Sequence, residues 1–317
     1  MMNNPWFRFA VRRLRSVLIG IAILIVGSFL MVHLIPGDPA IRIAGINATP
    51  EYLDALREQM GLNAPLPQQF VDYVYSVLTL DLGVSFRTSQ PVSTILLNRF
   101  PLTLQLAAAA IVIVLLVGVV VGILAAIATK GDGRPRTEQV FLFTTGAFAA
   151  TPEFLLSMFL VFLFAVNLQW FPVAGADGWQ SLVLPALGIA LPAAAMLSRI
   201  VRVQTAEVLR ADYIRTARSK RLPARLLYVR HALPNVLTAT LTIGSLMFIS
   251  LLGGSVVVEN IFAWPGLGTA IVEAIVARDY PVIQGAVLSL GVIVLVVNTG
   301  VDVILGLTDP RASIRES

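Results

Sequence analysis

The sequence predicts an all-α integral membrane protein with six transmembrane helices and both termini in the cytoplasm. Three observations carry that reading. Of 317 residues, 57% are hydrophobic and 13% charged, against about 45–50% and about 25% in soluble domains. Six apolar runs reach the roughly 20 residues a helix needs to cross a hydrocarbon core about 30 Å thick. The basic residues are sorted between alternate loops, as orientation in a bilayer requires. The composition excludes a cytosolic enzyme, a disordered chain and a nucleic-acid binder. The net charge of +5 belongs to loops at a membrane surface. With no cysteine, disulfides and thiolate chemistry are excluded.

The runs are Ser16–Ile35, Leu102–Thr129, Val140–Val166, Leu182–Ser198, Val236–Val258 and Val282–Leu307. The first follows Arg8, Arg12, Arg13 and Arg15. It is longer than the roughly 7–15 residues of a signal-peptide core, and Pro36-Gly37-Asp38-Pro39 makes a poor cleavage site, so it reads as an uncleaved helix. The third contains Pro152-Glu153 near its middle. Neither half spans alone, which predicts one helix tilted or kinked through the glutamate. The fourth contains Pro185 and Pro192.

With six spans, 18 Lys and Arg residues fall on the side of the termini and 5 on the other. Nine of the 18 lie in one inner loop. The chain thus divides into a cytoplasmic N-terminus and first helix (1–35), an extracytoplasmic loop (36–101), a five-helix core with its inner loop 201–235 (102–308), and a cytoplasmic tail (309–317). In the outer loop, Thr49-Pro50-Glu51 reads as a helix start, with Gly61 as its stop. A second helix over Gln68–Leu80 places Phe70, Tyr73, Val74, Val77 and Leu78 on one face.

Several chemistries are absent. The only lysines, Lys130 and Lys220, precede Gly131 and Arg221 and complete no P-loop. The only histidines, His33 and His231, fall on opposite sides of the membrane and make no zinc helix or Ser–His pair. No catalytic or metal residue is assigned. Ionisable groups at membrane depth are functional candidates by default, and Glu153 and Asp302 are the two. Glu153 reads either as part of a water-lined path or as a carboxyl that ties two helices together. Asp302, near the cytoplasmic end, reads more simply as a group that snorkels or pairs with an arginine.

The inner loop Val201–Asn235 carries eight of these nine basic charges, Arg199 standing just before it, and no glycine. Val208, Leu209, Ile214, Leu222, Leu226, Leu227 and Val229 fit short amphipathic helices broken at Pro223 and Pro234. Such helices either lie on anionic membrane lipid or dock into a partner's groove.

The same loop resembles the conserved cytoplasmic loop of ATP-binding-cassette importer permeases, whose pattern is E-A-A, three residues, G, nine residues, then I-x-L-P. Setting Leu233-Pro234 on L-P puts His231 on I, Arg221 on G and Arg215-Thr216-Ala217 on E-A-A. The dipeptide/oligopeptide (peptide/nickel) branch typically reads R-T-A-R-A-K-G-L here, so Arg218 also matches, and Arg221 departs from glycine. Other segments resemble the same branch: His33–Pro39, Leu80–Phe86, Arg99–Leu104, Val258–Gly268, Arg278–Pro281 and Asp309-Pro310-Arg311. Together they cover nearly the whole chain, and the long outer loop is similar to that of the first of two permeases in such systems.

The resemblance implies a type I importer fold in a bacterial cytoplasmic membrane. It implies a heterodimer with a second homologous permease, two ATPase subunits beneath that bind ATP and magnesium, and an extracytoplasmic peptide-binding protein. The chain itself would bind no cofactor. Arg215, Thr216, Ala217, Arg218, Arg221, His231, Leu233 and Pro234 would couple to the ATPase. Glu153, Glu259, Asn260, Trp264, Gly266, Gly268 and Asp279 would line the translocation path or its gate, with Gly266 and Gly268 permitting tight turns. A re-entrant turn that only fills space is the plainer reading of Glu259–Asp279. Alternating access on short peptides is the implied function. A carrier working alone, or a scaffold that transports nothing, is the alternative.

Overall fold

The computed structural model describes residues 5–34, 39–44, 48–59, 61–129, 135–220, 223, 226 and 233–308. Arg221, His231, Lys130, Arg134, the stretch Ile35–Asp38 and the terminal Asp309-Pro310-Arg311 lie outside the described residues. The described chain is helical, with one isolated antiparallel bridge, Val84 to Pro91. The helices are α1 (Pro5–Leu34), α2 (Pro39–Ala44), α3 (Pro50–Gln59), α4 (Leu66–Leu78), α5 (Val92–Ala128), α6 (Pro135–Ala150), α7 (Glu153–Leu160, continued by a π-helical turn Val161–Asn167), α8 (Trp179–Arg210), α9 (Asp212–Ser219), α10 (Leu233–Ile261), α11 (Leu267–Ala277) and α12 (Tyr280–Thr308). In hydrocarbon every backbone polar group must be satisfied within the segment, which is why the apolar runs are helices.

Among the described residues, four helices are long and apolar enough to cross a membrane, or five if α6 and α7 form one span. The fifth expected run, Val236–Val258, lies within the 29-residue α10. The third run departs from the expected single helix. Its halves meet at 97°, and Glu153 opens the second half instead of sitting inside a continuous helix. The cause is Pro152. It has no N–H for the helix ladder, and it disfavours helical geometry at Thr151.

The chain forms two compact units. The first comprises Met1–Leu102 and Pro265–Thr299. In it α1 and α12 interdigitate reciprocally. A Cβ on Gly20 would stand 2.7 Å from Leu295, and one on Gly291 would meet Leu24. Of the helices expected between residues 36 and 101, α3 starts at the expected Pro50, and α4 runs two residues earlier than the expected Gln68–Leu80. The Tyr52 amide donates to the Thr49 hydroxyl at 3.4 Å, and Gly61 adopts φ +68° where α3 stops. Helix α4 does not stand alone. Phe70 and Tyr73 meet Phe29 of α1 at ring-centroid distances of 5.2 and 5.8 Å, and the Tyr73 and Ser28 hydroxyls are 2.7 Å apart.

The second unit comprises Thr103–Trp264 and Gly300–Ser317. Helix α8 is its hub and packs against α6, α7, α9 and α10. Its buried face includes Leu184, Ile189, Ala190, Leu197 and Val201, and Pro185 and Pro192 are buried within it. The expected span Leu182–Ser198 is only the middle of this 32-residue helix, which continues to Arg210 and takes up the first part of the inner loop.

Candidate functional site

The inner-loop residues come first, because α8 delivers them. Helix α9 follows α8 after Ala211, where the backbone turns extended at ψ 148°. Its sequence Asp212-Tyr213-Ile214-Arg215-Thr216-Ala217-Arg218-Ser219 is amphipathic. Ile214 and Ala217, three residues apart, are buried against Leu209, with Val208 packed on the cluster. Asp212 lies in the first turn, where a carboxylate suits the positive end of the helix dipole. Tyr213, Thr216 and Lys220 are exposed. Of the expected coupling residues, Ala217 therefore faces inward as a packing residue and Thr216 outward. Arg215 and Arg218 fall within α9, and Leu233 and Pro234 begin α10 as half-buried and exposed residues.

The expected path residues divide between the two units. Glu153, Glu259, Asn260 and Trp264 belong to the second. Glu153 stands at the α6–α7 break, half-buried, with its carboxylate against Gly254 of α10, where a Cβ would collide with it. Among the described residues its carboxylate has no hydrogen-bond donor or ion-pair partner. Glu259 differs. It is fully buried and accepts the Thr103 hydroxyl of α5 at 2.8 Å. Trp264 is buried, and its amide donates to the Glu259 carbonyl at 2.8 Å as α10 ends. Asn260 is exposed and donates back to the Val256 carbonyl at 2.7 Å. It shares an exposed face of α10 with Gly253 and Val257, residues three to four apart on one side of a helix.

Gly266, Gly268 and Asp279 belong to the first unit. The tight turn was expected at the two glycines, but the left-handed residue is Ala263, at φ +45°. Gly266 is the N-cap of α11 at φ −93°, and Gly268 is buried inside that helix. The left-handed residue thus falls just past the C-terminal end of α10, and Gly266 serves to start α11. Arg278 ends α11 in the left-handed region at φ +53°, and Asp279 follows, buried. Its carboxylate accepts the Ser85 hydroxyl at 2.5 Å and the backbone amides of Phe86 and Arg87 at 3.1 and 3.3 Å. Beside it is a cleft of about 190 Å³ whose lining includes Arg87, Asn98, Arg99 and Glu273. Arg99 bonds Thr269 at 3.1 Å and Glu273 at 3.3 Å. Residue spacing singled out neither Ser85, Thr103 nor Glu273. Their partners are between 156 and 194 residues away for Thr103 and Ser85, beyond the reach of any local pattern.

Residues 118–314 match the family described as "Binding-protein-dependent transport system inner membrane component", and residues 6–107 match the N-terminal region of such membrane components. A Brucella abortus (strain 2308) protein, named provisionally as a peptide transport system permease, is 42% identical over 90% of this chain and 92% of its own length. The glutathione transport system permease protein GsiC of Salmonella choleraesuis (strain SC-B67) is 38% identical over 95% of this chain and 97% of its own. In fold, the chain is similar to a chain of the MetNI methionine ABC transporter in an inward-facing conformation, with a TM-score of 0.58 at 16% identity, over 70% of this chain and all of that one. In this family ATP hydrolysis resides in separate ATPase components, so the chain is a transporter subunit and not an enzyme. The chain belongs to the inner membrane components of binding-protein-dependent transport systems, as a multi-pass permease subunit of the peptide/nickel branch of ABC importers in the bacterial inner membrane.

Proposed function

We propose that this permease moves short peptides across the inner membrane by alternating access, as one half of a heterodimer with a second permease, driven by two ATPases and supplied by an extracytoplasmic peptide-binding protein. The names of its relatives support peptide or glutathione as the substrate class. In this reading six helices span the membrane and both termini face the cytoplasm. The 18-to-5 division of basic residues supports that orientation. Residues 36–101 lie outside, and 201–235 meets the ATPases.

One observation supports the reading of the path: the half-buried Glu153 carboxylate lies against Gly254, which has no side chain, and has no hydrogen-bond or ion-pair partner among the described residues. A lipid-facing carboxylate there would be costly, so this face of α7 and α10 borders water or substrate. A negative group in such a position suits the cationic amino terminus of a peptide. The reconstituted importer, with both permeases, ATPase and binding protein, is expected to take up dipeptides only with ATP. Uptake by this chain alone on an ion gradient would refute the reading. Glu153→Gln is expected to lower peptide uptake about tenfold, the worth of one charge-assisted contact, with little effect on an amino-acetylated peptide.

The coupling reading rests on α9, which buries Ile214 and Ala217 against α8 and leaves Tyr213 and Thr216 outward. A short helix packed on a 32-residue helix moves with it, so partner movement is passed to the core as a rigid-body swing. Charge reversal at Arg215 and Arg218 together is expected to abolish ATPase co-purification while leaving membrane insertion intact. Unchanged association would remove these residues from the contact.

A further inference from the structure

We infer that His33 and Gln69 form a proton-dependent latch between α1 and α4, closed when His33 is an imidazolium and released when it is neutral. The valences of the groups carry this. His33 Nδ1 lies 2.8 Å from the Phe29 carbonyl, which only accepts. His33 Nε2 lies 3.1 Å from Gln69 Oε1. The Gln69 amide cannot turn over to offer a donor instead, because its NH2 group is engaged by two backbone carbonyls, Leu62 at 3.2 Å and Ala64 at 2.8 Å. Both ring nitrogens therefore face acceptors. A neutral imidazole has one N–H, an imidazolium two. Only the cation makes both bonds.

The surroundings favour the same state. The Phe29 ring centroid is 4.2 Å from that of His33, at 37°, within range of a cation–π attraction. Of the groups on α4 nearest the ring, Gln69 and Phe70 carry no charge. The helix's one carboxylate, Asp72, is exposed, and burial pushes the Tyr73 phenol above the usual range, with the Ser28 hydrogen bond pulling the other way. It stays neutral and supplies no counter-charge. Among the described residues, no carboxylate or guanidinium contacts His33.

Deprotonation has a directed consequence. The neutral ring keeps one N–H, and the shorter bond to Phe29, four residues back in the same helix, retains it. The Nε2 lone pair then opposes Gln69 Oε1, so the bond that is lost is the one joining elements 36 residues apart. The Ser28–Tyr73 and Phe29–Phe70 contacts remain, so α4 pivots on them and does not detach. Protonation closes the latch and deprotonation opens it, so the closed state gives way as pH rises. In the proposed topology it reads the extracytoplasmic side, and the proposal does not depend on that topology.

The absence of cysteine allows a clean test. Spin labels at Leu30→Cys and Tyr75→Cys, both exposed positions, report the α1–α4 distance in the full chain in nanodiscs. One narrow distance is expected at pH 5.5. A second, longer distance should appear by pH 8, with about a tenfold change in the latched-to-open ratio, the worth of a hydrogen bond to a charged group. His33→Arg, a permanent cation, should stay latched at both pH values, and His33→Phe should be open at both. A distance in the parent that ignores pH, or a pH response that persists in His33→Phe, would overturn the proposal.

Discussion

Asp279→Ala is expected to unfold the first unit at a markedly lower temperature than any other single carboxylate change there, at a cost of about 3 kcal/mol or more. The carboxylate is buried and accepts three hydrogen bonds, from the Ser85 hydroxyl and the Phe86 and Arg87 amides. Alanine leaves all three donors without an acceptor in a place water reaches poorly. The Ser85 hydroxyl also accepts from the Thr88 amide, and the Ser85 amide donates to the Gln90 carbonyl, so the loss spreads through the turn that closes the Val84–Pro91 bridge. Asp279→Asn keeps one carbonyl oxygen and should cost less, about 1–2 kcal/mol. Asp81→Ala is the control. That residue is exposed and caps only its own turn, at 3.3 Å to the Gly83 amide, so its effect should stay within about 0.5 kcal/mol. Differential thermal unfolding of the purified permease checks the order, and proteolysis within residues 83–92 locates the damage. Equal stability of Asp279→Ala and Asp81→Ala would show that the carboxylate does not hold the loop.

That result would also separate two kinds of acidic residue that look alike in sequence. Glu153 sits inside an apolar run and Glu259 and Asp279 at the edges of others, and position and sign make each a candidate for a cationic substrate. In three dimensions they part. Glu259 and Asp279 are buried on donors from α5 and from the loop after α4, whereas Glu153 is half-buried against Gly254 with no donor among the described residues. What decides between structural and path residue is a partner more than 150 residues away, and no spacing rule sees it.

Other features were legible because their causes are local. The last helix was expected at Val282–Leu307 and runs Tyr280–Thr308, since a long apolar run in a membrane has no competing structure. Helix α3 was legible from a capping threonine, an N1 proline and a stop glycine, and α4 from the apolar face of Phe70, Tyr73, Val74, Val77 and Leu78. Pro152 announced an interruption, but 97° between α6 and α7 depends on how α6 packs against α8 and α7 against α8 and α10. The positive φ at Ala263 was illegible for another reason: alanine does not advertise it, and the nearby glycines did.

Gly122→Leu should be the most disruptive of the helical glycine substitutions in the second unit. A Cβ at Gly122 would stand 2.6 Å from the Ser198 carbonyl oxygen and 2.6 Å from Val201 Cβ. One obstacle is backbone and the other is the root of a fully buried side chain, so neither can turn aside. Helix α5 would have to move off α8, the hub of the unit. Overpacking ordinarily costs about 1–3 kcal/mol, and an unyielding backbone places this site at the upper end. Gly118 sits one turn earlier, and its nearest atom would be Leu197 Cδ2 at 2.9 Å. Leu197 Cβ follows at 3.0 Å, but these contacts are looser than at Gly122 and none is backbone, so Gly118→Ala should be milder than Gly122→Ala. Gly146 has nothing within 4 Å, and alanine there should be neutral or stabilising by up to about 1 kcal/mol, as alanine is in a helix. The yield of monodisperse protein and the unfolding temperature give the ranking directly. If Gly122→Ala tolerates heat as well as Gly146→Ala, then α5 and α8 are not in backbone contact at this point. Because α8 also carries α9, the same substitution should uncouple the ATPase before it unfolds the chain, so hydrolysis stimulated by the binding protein should fall at temperatures where the permease is still folded.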